Sequence, residues 1–158
     1  MKITWSELVV DVAGQRSQDL LREWEWLVSN DYQIHMVSAI GDAFLEGPDG
    51  RIHWLDVGGA ELQYIAKDTK KFELLRQKPA NVADWFAPRL ISDIMARGHR
   101  LLPGQCFSYK VPLTLNGQLV PDNFQPANLS DHFTTLGRIQ RRVKPRLAST
   151  TIHPVELP

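Results

Sequence analysis

Cysteine is almost missing from this sequence: Cys106 stands alone in 158 residues. A single thiol excludes an internal disulfide framework and a multi-cysteine zinc cluster. Long hydrophobic runs are lacking as well. No stretch approaches the roughly 20 apolar residues that a membrane-spanning helix requires. Met1 is followed by neither a basic-then-apolar segment nor a small-residue cleavage site, so a soluble, cytoplasmic protein without a membrane partner is expected. There is no Gly-rich phosphate loop, because Gly58-Gly59 falls between two strand-like segments rather than ahead of a helix. His35, His53, His99, His132 and His153 form no close pair at i, i+4 spacing. Neither a metal site nor a cofactor is therefore expected.

Excess charge of either sign is also absent, since eighteen basic residues balance eighteen acidic ones. The zero conceals an asymmetry. Residues 1–66 hold eleven Asp and Glu against four Lys and Arg, and residues 67–158 hold seven against fourteen. The first half could attract a basic partner; alternatively, the two halves could neutralise each other across the folded surface.

What is present reads as one α+β domain over 1–158, with helices packed on an antiparallel meander. At this length folding buries roughly 68 to 70% of the surface of the unfolded chain, enough for a core without staples. Leu20, Leu21, Trp24, Leu27 and Val28 make a helical stripe over 17–29, capped by Ser17, with Trp26 off the stripe. From 32 to 66 the period shortens to that of strands, broken at "GPDG" and Gly58-Gly59, and connections this tight require antiparallel neighbours. Helices follow over 68–97, capped by Asp68 and Asn81, with Pro88 at a kink or a second start and Gly98 at the stop. "QCFSYKVPLTL" predicts a late strand over 105–111 that rejoins the sheet, and "NGQLVPDNFQPAN" reads as loop. Ser130 opens a last helix, 130–143, followed by an extended, proline-bearing tail.

Catalysis has candidates. Cys106 or Ser108 could serve as nucleophile, His132 as base, and Asp131 or Asp122 as the orienting acid. "QCFSYK" alternates as a strand does, which places Cys106 among large residues rather than at a thiolate-stabilising helix start. His132 shares the apolar arc of Leu129, Phe133, Leu136, Ile139 and Val143, where a histidine satisfies backbone more often than it catalyses. Asp42 with Glu46, or Asp56 with Glu61, could act as an acid–base pair or simply form a solvated rim. Arg138, Arg141, Arg142, Lys144 and Arg146 could grip phosphates, which makes a nucleic-acid-binding module the rival reading. The aromatics lie elsewhere, however, and cations suit a helix C-terminus anyway.

The order of features in "GQCFSYKVPLTLNGQLVPDNFQPANLSDHFTTLGRIQRRV" resembles the C-terminal module of bacterial type VI secretion immunity proteins of the DNase-immunity type, commonly found beside a GAD-like module. The shared elements are an aromatic strand before Pro112, Leu115 followed by Gly117, Asn123-Phe124, His132, and Gly137 followed by Ile139. The upstream "GDAFLEGPDGRIHWLDVGGAEL" is similar to the meander preceding that module, so the likeness spans roughly residues 35–143. Two departures stand out: Asn116-Gly117-Gln118 offers one glycine where the family often has two, and "KPRLAST" replaces its usual ending. A related sheet-based immunity architecture occurs in the SUKH superfamily.

The resemblance implies an intracellular protein that binds and blocks a toxin delivered between bacteria, in some members a nuclease, and implies no enzymatic activity. A small hydrolase is the more distant alternative. On this reading an acidic docking surface includes some of Asp31, Asp42, Glu46, Asp56 and Glu61, and Trp26 and Trp54 are candidate aromatic anchors, with a place in the core as the alternative for Trp54. Asn123, His132 and Gly137 are scaffold: the first ties down a loop, the second satisfies buried backbone, and the third permits close packing.

Overall fold

Alternating aromatic and aliphatic residues between tight turns produce four strands in a computed structural model that describes residues 2–155, with side chains through 144. These are β1 (Gln33–Val37), β2 (Ala43–Glu46), β3 (Ile52–Asp56) and β4 (Glu61–Ala66). They pair in the order β1-β2-β3-β4, antiparallel throughout. The meander is as the sequence pattern predicts. Ala43, Phe44 and Leu45 of β2 are all buried, so both faces of the sheet are covered. Phe44 points to helices α3 (Thr69–Leu75) and α4 (Pro79–Phe86), where Phe72, Trp85 and Phe86 pack around its ring. Such aromatic clusters bury large apolar area and anchor helix to sheet.

The expected caps hold in part. Asp68 accepts the Lys71 N–H at 2.7 Å and starts α3. Asn81 does not cap α4; its amide donates to the Leu75 carbonyl at 2.8 Å, while Lys78 and Pro79 open the helix. Ala87 takes a left-handed conformation, with φ of 47°, so Pro88 begins a separate helix, α5 (Pro88–Ala96).

Other expectations need correction. The stripe over 17–29 is no continuous helix but a short α2 (Ser17–Leu20) followed by a 3-10 turn, Arg22–Trp24, and a further helix, α1 (Trp5–Leu8), precedes it. Ser17 does not cap; its hydroxyl accepts the Ile34 N–H at 2.8 Å. The indole of Trp24 reaches the Phe133 carbonyl at 2.9 Å, and that tertiary bond accompanies the tightened backbone.

The late strand β5 (Gln105–Tyr109) does not rejoin the sheet. It pairs with β6 (Phe124–Asn128), a segment read from sequence as loop. The β1 edge is already occupied near Val37, where Val10 donates to Val37 and Ala39 to Leu8. What remains for β5 is one bond, from the Phe107 N–H to the Ala39 carbonyl at 2.7 Å. Because Phe107 directs its N–H away from its partner Pro126, the missing proline N–H at that register position is not needed.

The last helix, α6, runs over Leu129–Val155, past the stop expected at Val143. Its two prolines, Pro145 and Pro154, each remove a backbone bond, and good helix formers such as Arg146, Leu147 and Ala148 follow the first. The tail expected to be extended is thus helical through Val155, and its last three residues lie outside the described residues.

Candidate functional site

Of the catalytic candidates, His132, Ser108 and Cys106 lie inside, while Asp122 and Asp131 are exposed. His132 on α6 is 1% exposed, with Nε2 2.8 Å from the Gly41 carbonyl and Nδ1 2.7 Å from Ser108 Oγ. A carbonyl can only accept, so Nε2 carries the proton and Nδ1 accepts from the serine hydroxyl. Burial pushes the imidazole down to about 4, against a smaller opposing effect of the Gly41 bond. Gly41 has a left-handed φ of 82°, and any Cβ there would collide with the ring.

A serine donating to an imidazole is half of a nucleophile–base pair. The other half differs from a catalytic triad, because a carbonyl rather than a carboxylate holds the second nitrogen, and a base near 4 accepts protons poorly at neutral pH. Asp131 is exposed and makes no hydrogen bond to the ring among the described residues. Cys106 is fully buried, and burial, reinforced by the charge of Asp42, pushes its thiol well up, away from the reactive thiolate. Among the described residues no group of three or more His, Cys, Asp or Glu is arranged to hold a metal ion.

The five acids read as one docking surface divide. Asp42 is 1% exposed and is spent internally: Oδ1 accepts the Val57 N–H at 3.0 Å and Oδ2 the Trp54 indole at 3.1 Å. Burial first, and then the charge of Asp56, hold its carboxyl well above the usual range. Asp56 is half-buried, accepts the Gly59 N–H at 3.1 Å, and is likewise raised by burial. Neither presents a free carboxylate, because each is consumed in shaping the β3–β4 turn. Asp31 and Glu61 are exposed and Glu46 partly so. Glu61 lies 3.9 Å from Lys144.

The tryptophans are not projecting anchors either. Trp26 is half-buried and stacks on Trp24 with centroids 5.8 Å apart, and Trp54 is half-buried with its indole committed to Asp42. The basic run is partly neutralised by the acidic half: Arg138 pairs with Glu23 at 3.1 Å and Lys144 with Glu61. Arg141 and Arg142 are exposed, while the side chain of Arg146 lies outside the described residues.

The three scaffold residues join the C-terminal elements to the rest. A Cβ at Gly137 would lie 2.8 Å from the Glu23 carbonyl oxygen and 2.9 Å from the Trp24 indole nitrogen, so α6 crosses the 3-10 turn at backbone distance. One turn on, buried Gln140 donates to the carbonyls of Val57 and Gly58 at 2.8 and 2.9 Å and accepts from Thr114 at 2.6 Å. Sequence reasoning missed Gln140, since a glutamine on a mostly polar helix end carries no pattern of its own.

Asn123 closes the loop between β5 and β6. Its side chain accepts the Val111 N–H at 2.9 Å and donates to the carbonyls of Val111 and Gln118 at 2.8 and 2.9 Å. Gly117 packs so tightly that a Cβ would collide with the Val111 carbonyl. Around this fixed frame Val111, Leu115, Leu119 and Val120 stand exposed. Sequence could have signalled them, because "VPLTLNGQLV" is a turn-rich stretch with no charge and four large aliphatic residues besides Leu113.

Comparison with known proteins bears on this same region. Residues 66–140 match the family model described as T6SS immunity protein Tdi1, C-terminal. The crystal structure of Atu4351 from Agrobacterium tumefaciens is similar with a TM-score of 0.51 at 14% sequence identity, over 77% of this chain and 64% of that one, a likeness of fold. No curated protein matches.

Proposed function

We propose that this chain, whose residues 66–140 match the model of the type VI secretion immunity protein Tdi1, C-terminal, neutralises a cognate effector by binding it and performs no chemistry of its own. The observation that carries this reading is the fate of the reactive side chains. His132, Ser108, Cys106 and Asp42 are each buried, and His132, Ser108 and Asp42 are tied to partners within the fold. What faces outward includes, among charges of both signs, the acids Asp31, Glu46 and Glu61 and an uncharged loop with exposed apolar side chains, materials of recognition.

The exposed acids Asp31, Glu46 and Glu61 steer the encounter, a role that raises the association rate more than the final affinity. An effector acting on nucleic acid, with a basic substrate cleft, would suit such steering. No helix among the described residues is long and apolar enough to cross a membrane.

Co-expression with the effector encoded beside this chain's gene tests the reading. Survival of the host, with a stable complex recovered from it, is expected. Unprotected cells, or protection without any complex, would contradict it.

A further inference from the structure

Eight large hydrophobic residues are exposed among the described residues, and four of them, Val111, Leu115, Leu119 and Val120, fall within ten residues of one loop. Their exposures run from 42% to 56%. The chain holds this loop in place with unusual polar investment. Beyond the three bonds of Asn123, the Leu113 N–H donates to the Gly58 carbonyl at 3.1 Å, and Thr114 donates to Gln140. Asn116 adopts a left-handed φ of 68°, and Gly117 admits no side chain. An ion pair between Arg97 and Asp122 ties the loop's far end to α5.

Apolar side chains on a fixed loop lose little further entropy when a partner covers them, which is the condition for a binding hot spot. We propose that the loop 111–121 is where the effector seats, and that the matching surface on the effector is an uncharged, apolar cleft distinct from the basic cleft that the acids steer toward. This assignment rests on the immunity reading above and adds to it the surface and its chemistry.

The electrostatics select the occupant. No residue from Val111 to Pro121 is charged, in a chain that is 23% charged overall. A charged cleft closing over this loop would lose hydration and find no countercharge, so the complementary wall must be apolar. The four side chains expose on the order of 300 Å², a fraction of the roughly 800 Å² each partner buries in a standard interface. They make the apolar part of it. Leu119 extends it into a depression with Pro121, Ala83, Pro88 and Leu90 at the α4–α5 corner, where the charged residues Arg89 and Asp93 also line the wall and mark the polar edge of the surface.

Leu115→Asp and Leu119→Asp, with Leu74→Asp as an exposed control elsewhere, test this against the effector encoded beside the gene. Titration calorimetry should show binding weakened about 100-fold or more by either loop variant and unchanged by the control. Hydrogen exchange of the wild-type complex should show new protection over 111–120, a readout that holds even if a variant fails to fold. Wild-type binding with folded loop variants that bind equally well, or complex formation without protection of the loop, overturns this surface but leaves the immunity reading standing. Wild-type protein that does not bind the effector overturns the immunity reading itself. Protection of the loop that rises with the free protein's own concentration would make a second copy of the chain its occupant and also overturns the proposal.

Discussion

His132 Nε2 donates to the carbonyl of Gly41 across 2.8 Å, fastening the last helix to the β1–β2 turn 91 residues earlier in the chain. His132→Ala removes that bond and the one to Ser108 and leaves buried groups unpaired. A loss of about 2–4 kcal/mol is expected, read as a lower denaturation midpoint. Whatever folded protein remains should still bind the effector.

The same ring sets a pH dependence. Its folded value of about 4 lies below the unfolded value of 6.5, so the unfolded chain binds more protons between those limits. The contribution is complete above pH 6.5 and is lost as pH falls toward 4, on the order of 2 kcal/mol by pH 5. Asp42 acts in the opposite sense: its raised carboxyl favours folding most at low pH and progressively less as pH rises. Urea titrations at pH 7 and pH 5 should show a smaller loss of stability on acidification in His132→Gln than in the wild type.

Gly137→Ala offers a sharp test of packing. Helix propensity alone favours alanine by roughly 1 kcal/mol. The Cβ would meet the backbone of Glu23 at 2.8 Å, so the variant is expected to be less stable by about 1–3 kcal/mol. A raised melting temperature would mean that α6 and the 3-10 turn are not in close contact.

These two positions also show how far the sequence could be read. The meander is legible because strand alternation and the breaks at Gly47–Gly50 and Gly58-Gly59 are local signals. The placement of His132 on an apolar arc is local too, whereas its partners Ser108 and Gly41 come from other elements. β6 was hidden by Pro126, whose tolerance depends on Phe107 turning its N–H toward Ala39. The burial of Asp42 was hidden because its donors, Val57 and Trp54, lie on the next strand and turn. The split of α2 from the following turn reflects the contact of Trp24 with Phe133, 109 residues away.

Asn123→Ala removes three bonds from the loop base. Faster hydrogen exchange over 110–121 and weaker effector binding are expected together, with a stability loss of about 1–3 kcal/mol. A loop that stays protected in this variant would show that Asn123 is not what fixes it.

Charge reversal at Asp31 and Glu46 addresses steering. Asp31→Lys with Glu46→Lys should lower the association rate at low salt, with the difference shrinking as salt rises and the dissociation rate little changed. An effect confined to dissociation would place these acids in the contact itself.

The central claim is that neutralisation is binding without turnover, and a stoichiometric titration of effector activity tests it most directly. Purified protein added to a fixed amount of effector should abolish activity linearly, reaching zero at a fixed molar ratio near one to one, with activity recovered when the complex is dissociated. Complete and lasting inactivation by a small molar fraction of this protein would show a catalytic act and contradict the account.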